Sequence, residues 1–66
     1  MSDVETLKAE IKKLSSRAIS AKMNLHDLSE ELPINWETIP AVAQETFIAY
    51  RELTEARAKL KQAEKA

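Results

Sequence analysis

The stretch Leu28-Ser29-Glu30-Glu31-Leu32-Pro33-Ile34-Asn35-Trp36-Glu37-Thr38-Ile39-Pro40-Ala41-Val42 decides how this chain folds. Pro33 has no N–H to donate and biases Leu32 away from helical angles, so a helix arriving from the amino side ends close to Leu32. Asn35 or Thr38 can cap a new helix, and Pro40 then falls in its first turn, where a missing N–H costs least. A short irregular turn ahead of the main helix also fits these residues. The connection from Pro33 to Thr38 is short enough to make the two helices antiparallel neighbours.

Outward from this turn, apolar or small residues recur in steps of three and four. On the amino side they are Val4, Leu7, Ile11, Leu14, Ala18, Ala21, Leu25, Leu28 and Leu32. On the carboxyl side they are Ile39, Val42, Thr46, Ala49, Leu53, Ala56, Leu60 and Ala63. Each step returns to nearly the same helix face, which makes both runs heptad seams, the first a rod of roughly 40 Å. Ser2 or Asp3 can cap its start. Folding the seams together sets Leu28 near Val42, Leu25 near Thr46, Ala18 near Leu53, Leu14 near Ala56 and Ile11 near Leu60. Large residues mostly face small ones, as close helix packing requires. The two prolines oppose the alternative of one continuous helix. The expected fold is all-α: an antiparallel two-helix hairpin with helices at about 3–32 and 38–64, forming one unit over residues 1–66. It either pairs into a four-helix bundle or docks on a partner.

Composition supports that need for a partner. A chain of 66 residues buries a limited core, and with no cysteine it has no disulfide to reinforce it. The amino terminus is acidic, no apolar run approaches the ~18 residues of a membrane span, and cytoplasmic placement is the default expectation.

Charge is distributed unevenly along the rod. Between Lys22 and Arg51 there is no lysine or arginine, but Asp27, Glu30, Glu31, Glu37 and Glu45 are present. Residues 1–22 and 51–66 each carry five basic and three acidic side chains. The turn end is therefore acidic and the open end mildly basic, and all three aromatics, both prolines and the histidine lie in the acidic half. Glu30 and Glu31 fall in the last turn of the first helix, where the helix dipole disfavours carboxylates by about 0.3–1 kcal/mol each. They are either solvated or close to the N–H groups that start the second helix.

A second stripe, Ile19, Met23 and His26, points away from the first seam, and Phe47 and Tyr50 flank the second. An apolar stripe outside a hairpin core is a homodimer core or a docking surface for another protein. Trp36 either plugs the end of the hairpin or anchors a partner. The expected partner-binding set is Ile19, Met23, His26, Asp27, Glu30, Trp36, Phe47 and Tyr50.

Catalysis is not expected. The single histidine and the lack of cysteine and glycine leave no phosphate loop and no nucleophile arrangement. His26 and Asp27 are adjacent helix positions diverging by ~100°, so they do not form a dyad. His26 and Glu30 supply two metal ligands at most, and only a two-fold dimer pairing His26 with its mate would complete a site, so no metal or other cofactor is expected. Lys8, Lys12, Lys13, Arg17 and Lys22 form a basic stretch, but interspersed acids and the absence of accompanying aromatics argue against nucleic acid as the ligand.

The segment Met23-Asn24-Leu25-His26-Asp27-Leu28, continuing through Glu30-Glu31-Leu32-Pro33 to Asn35-Trp36-Glu37, resembles the small Rop-like helical-hairpin proteins of nitrogen-fixation gene clusters. Val42, Ala43, Gln44, Thr46, Ala49 and Tyr50 extend the likeness to roughly residues 7–60. The resemblance implies a nitrogenase-associated accessory protein, with the molybdenum-iron component or its cofactor-assembly machinery as partner. It points to Met23, His26, Asp27, Trp36 and Tyr50. Phe47 stands where the family pattern favours tyrosine. The competing expectation is a homodimeric Rop-like bundle that binds RNA through its basic face.

Overall fold

The computed structural model describes residues 2–65, with side chains from Val4 onward. The chain forms two helices, α1 (Ser2–Glu31) and α2 (Ile39–Lys65), joined through a single 3-10 turn at Trp36–Thr38. They lie side by side as an antiparallel hairpin measuring 49 × 14 × 13 Å. The all-α hairpin expected from the two seams is the fold observed. The expected cap by Ser2 or Asp3 lies outside the residues whose side chains are described.

The seam becomes a core only in its middle. Ala18, Ala21, Ala49 and Leu53 form the buried cluster, with Ile11 and Leu14 packed against it. Leu28 and Ala56 are buried as well. Leu14 and Ala56 line one shallow groove together, and Ala21 and Ala49 line another, which fixes the axial register of the helices. Ala21 meeting Ala49 is small against small, so the backbones approach closely there. That approach brings the Thr46 hydroxyl, which donates to the Val42 carbonyl at 2.8 Å, within 3.3 Å of the Ala21 carbonyl across the seam. Thr46, expected beside Leu25, thus reaches one turn nearer the open end.

The turn is built from backbone hydrogen bonds. The Leu32 N–H donates to the Leu28 carbonyl at 3.1 Å and closes α1, and the Ile34 N–H donates to Glu31 at 3.0 Å. Asn35 takes the left-handed conformation (φ 64°, ψ 25°), which asparagine tolerates better than most side chains. Neither expected cap acts as anticipated. The Asn35 side chain makes no capping bond, and the Thr38 hydroxyl donates backward to the Asn35 carbonyl at 2.8 Å, doubling the Thr38 N–H bond to the same atom. Pro40, the second residue of α2, sits in the first turn as expected.

Two seam assignments are corrected. Leu32 and Ile39, counted as the turn-end members of the two seams, are exposed. Leu32 falls just past the last residue of α1, where the helical period no longer sets its direction, and Ile39 is the first residue of α2, at the turn-end limit of the seam.

Candidate docking surfaces

The turn end leaves four apolar side chains open to solvent. Ile34 is 66% exposed and Trp36 is 61% exposed, with Leu32 and Ile39 beside them in sequence and also open to solvent. Trp36 is therefore not a plug for the hairpin. The seam is already closed below it by Leu28, and the 3-10 turn carries the indole outward instead of over the helix ends. Ile34 was missed as a surface residue. Its signal was its place between Pro33 and the left-handed Asn35, where no helix can turn a side chain back toward the core.

Glu30 and Glu31 end α1 with no basic residue in its last turn. Both carboxylates are exposed, and Glu30 lies 3.8 Å from His26 Nε2, one turn earlier on the same face. Ser29 hydrogen-bonds the His26 carbonyl at 2.7 Å. Asp27 is exposed but diverges from His26 by about 100° around α1, so the two do not act on a common point. Among the described residues no group of three or more His, Cys, Asp or Glu is placed to hold a metal ion.

The sequence did not show whether the stripes on the two helices share a side, and one ion pair decides it. Arg17 and Ile19 flank the seam residue Ala18, about 100° to either side, just as Glu52 and Thr54 flank Leu53. Arg17 Nη1 meets Glu52 Oε1 at 3.3 Å, so these two flanks lie on one face of the hairpin. A groove lined by Arg17, Ser20, Asn24, Glu45 and Ile48 continues that face. The other two flanks must share the opposite face. Ile19 and His26 lie there on α1, with Met23 farther round toward its back. Phe47 and Tyr50, seven and four residues before Thr54, lie there on α2.

By the register of the seam, Met23 is level with Phe47, and Ile19 with Tyr50. Ile19, Met23 and Phe47 are each more than half exposed, and Tyr50 is 36% exposed. The Arg51 guanidinium stands 5.6 Å from the Phe47 ring centroid, close enough for a cation–π contact. The expected partner-binding set thus falls into two surfaces. One is the tip with Trp36, and the other is a patch at mid-rod, some 15–20 Å along the axis from it at ~1.5 Å per residue. His26 and Glu30 lie between them.

Fold and surfaces together define a small helical hairpin whose exposed apolar surfaces are its most distinctive chemical feature. The chain belongs to the Rop-like family, whose pattern matches residues 2–65. A UPF0437 protein of Azorhizobium caulinodans is 64% identical over 64 residues, which is 97% of this chain and 93% of that protein. A relative in Frankia alni, described as a UPF0437 protein in the nifX-nifW intergenic region, is 43% identical over 51 residues, covering 77% of this chain and 62% of its own length. An NMR structure from the Northeast Structural Genomics Consortium is 47% identical and has a TM-score of 0.88, over 94% of this chain and 87% of that one. No helix among the described residues is long and apolar enough to cross a membrane.

Proposed function

We propose that this chain is a non-catalytic accessory protein of nitrogen fixation. It docks through its acidic turn end on the molybdenum-iron component of nitrogenase or on the machinery that assembles its cofactor, in the cytoplasm. The nitrogen-fixation setting is supported by the Frankia alni relative, whose description places it between nifX and nifW, and by the turn motif already described. The observation that carries the docking mode is Trp36. An indole left 61% exposed on a tip without lysine or arginine has no role in the hairpin's own core.

The physics favours a cleft as the receptor. Removing the exposed part of a tryptophan from water contributes about 2–4 kcal/mol, which is the energy of a binding hot spot. Ile34 and Leu32 enlarge the apolar contact, and Glu30, Glu31 and Glu37 around them select a basic rim on the receptor. A hairpin end about as wide as two helices fits a cleft better than a flat surface. By binding one state of nitrogenase more tightly than the others, the tip holds that state in place while it is assembled, protected or repaired.

The test is a titration of purified molybdenum-iron protein, in complete and cofactor-deficient forms, with wild-type chain and with Trp36→Ala. Binding to one form at least about tenfold tighter than to the other, weakened roughly 30-fold or more by the substitution, is the expected outcome. Equal affinity for every form, or binding indifferent to Trp36, overturns the reading.

A further inference from the structure

The mid-rod patch lies on a predominantly basic face, although Glu55 joins Arg51 in the shallow groove lined by Phe47, Tyr50 and Thr54. On its face of the hairpin, helical spacing from Ile19 and Thr54 places Lys8, Lys12 and Lys22 on α1 and Arg57 and Lys61 on α2, all exposed. Glu5 and Glu64 near the open end, and Glu30 beside His26 toward the tip, oppose them on that face. Among the described side chains, the face carrying the Arg17–Glu52 pair has the reverse balance, with Glu10, Glu31, Glu45, Glu52 and Glu55 against Lys13, Arg17 and Lys59. The rod is thus polarised across its width as well as along its length, and its exposed apolar patch lies on the positive side.

We infer that this face is a second docking surface, separate from the tip, and that its occupant is an acidic protein segment presenting an apolar ridge, such as an amphipathic helix with carboxylates beside its apolar row. Ile19, Met23, Phe47 and Tyr50 receive the ridge. The lysines and arginines beside them meet the flanking carboxylates, raising the association rate and fixing the orientation.

Charge also argues against the other occupants. A second copy applied through the same face brings two predominantly basic surfaces together, with only Glu5, Glu30 and Glu64 of each to oppose the bases. Single-stranded nucleic acid needs aromatic platforms for its bases, whereas half of this patch is aliphatic and Arg51 already stands against Phe47.

Two synthetic helical peptides test the inference. They share a row of leucines at i, i+3, i+4 and i+7, flanked by glutamates in one and by lysines in the other. Isotope-labelled full-length chain is titrated with each by NMR. The glutamate peptide is expected to bind at least about tenfold tighter, shifting amides around Ile19, Met23, Phe47 and Tyr50. Lys12→Gln combined with Arg57→Gln, at exposed positions where folding is unaffected, should cost most of that preference, and Phe47→Ala should weaken binding. Trp36→Ala should change neither, which separates this surface from the tip whatever the fate of the nitrogenase reading. Failure to bind, or equal binding of the two peptides, overturns the inference. So does concentration-dependent dimerisation that occludes the patch, or tighter binding of oligouridylate RNA or of anionic phosphatidylglycerol vesicles to the same face.

Discussion

Trp36 and Asn35 are neighbours in the turn with opposite relations to stability. Asn35 holds a left-handed conformation on which the hydrogen bonds from the Thr38 amide and hydroxyl converge. A β-branched side chain resists those angles, so Asn35→Val is expected to lower stability by about 1–2 kcal/mol, while Asn35→Gly leaves it nearly unchanged. Urea unfolding followed by circular dichroism reads the difference. Trp36 makes little contribution to the fold because most of its surface is already in water. Trp36→Ala should move the unfolding free energy by no more than about 0.5 kcal/mol, the usual range for an exposed position. The same variant is the one expected to lose client binding, so retained fold with lost affinity would identify the indole as a contact residue.

At the scale of the elements, the interface between α1 and α2 is governed by small side chains. Ala18, Ala21, Ala49 and Ala56 are all buried, and Leu28 and Leu53 are the large buried residues among them. Close backbones leave no volume for a longer side chain, so enlarging an interfacial alanine should strain the pair. Ala49→Leu is expected to cost about 1–3 kcal/mol, seen as a lower thermal midpoint. A gain in stability would mean that the helices separate readily and that the alanine contact is not the organising feature. Toward the open end the same seam is only half-buried at Val4, Leu7, Leu60 and Ala63, consistent with fraying that begins there and leaves the tip ordered.

For the whole molecule, the charge pattern has more consequence for partners than for the fold. The Arg17–Glu52 pair is exposed on both sides, and exposed pairs contribute at most about 1 kcal/mol. Arg17→Ala should therefore leave the melting curve within that range, and a larger loss would show that the pair fixes the register. Recognition by the positive lateral face should instead weaken as ionic strength rises, since its bases are solvent-exposed and screening lengths at 0.15 M salt are only about 8 Å. Two surfaces of different charge, one at the end and one on the side, would let a single short hairpin contact two regions of an assembly together.

The heptad steps from Val4 to Leu28 and from Val42 to Ala63, with Pro33 and Pro40 between them, determined the hairpin, because periodicity and helix termination are local properties carried by the residues themselves. The acidic turn end and basic open end were equally legible, since charge along a rod follows chain position. Three features were not. Whether Trp36 turned inward or outward depended on backbone angles at Asn35 and the turn after it. Whether Leu32 and Ile39 belonged to the seam depended on where each helix stopped relative to its neighbour. Whether Ile19 and Met23 shared a face with Phe47 and Tyr50 depended on how the helices were rotated against each other, and that rotation exists only once both seams are packed. One helix can display its own stripes in its sequence, but the side on which two helices place theirs is set by the contact between them.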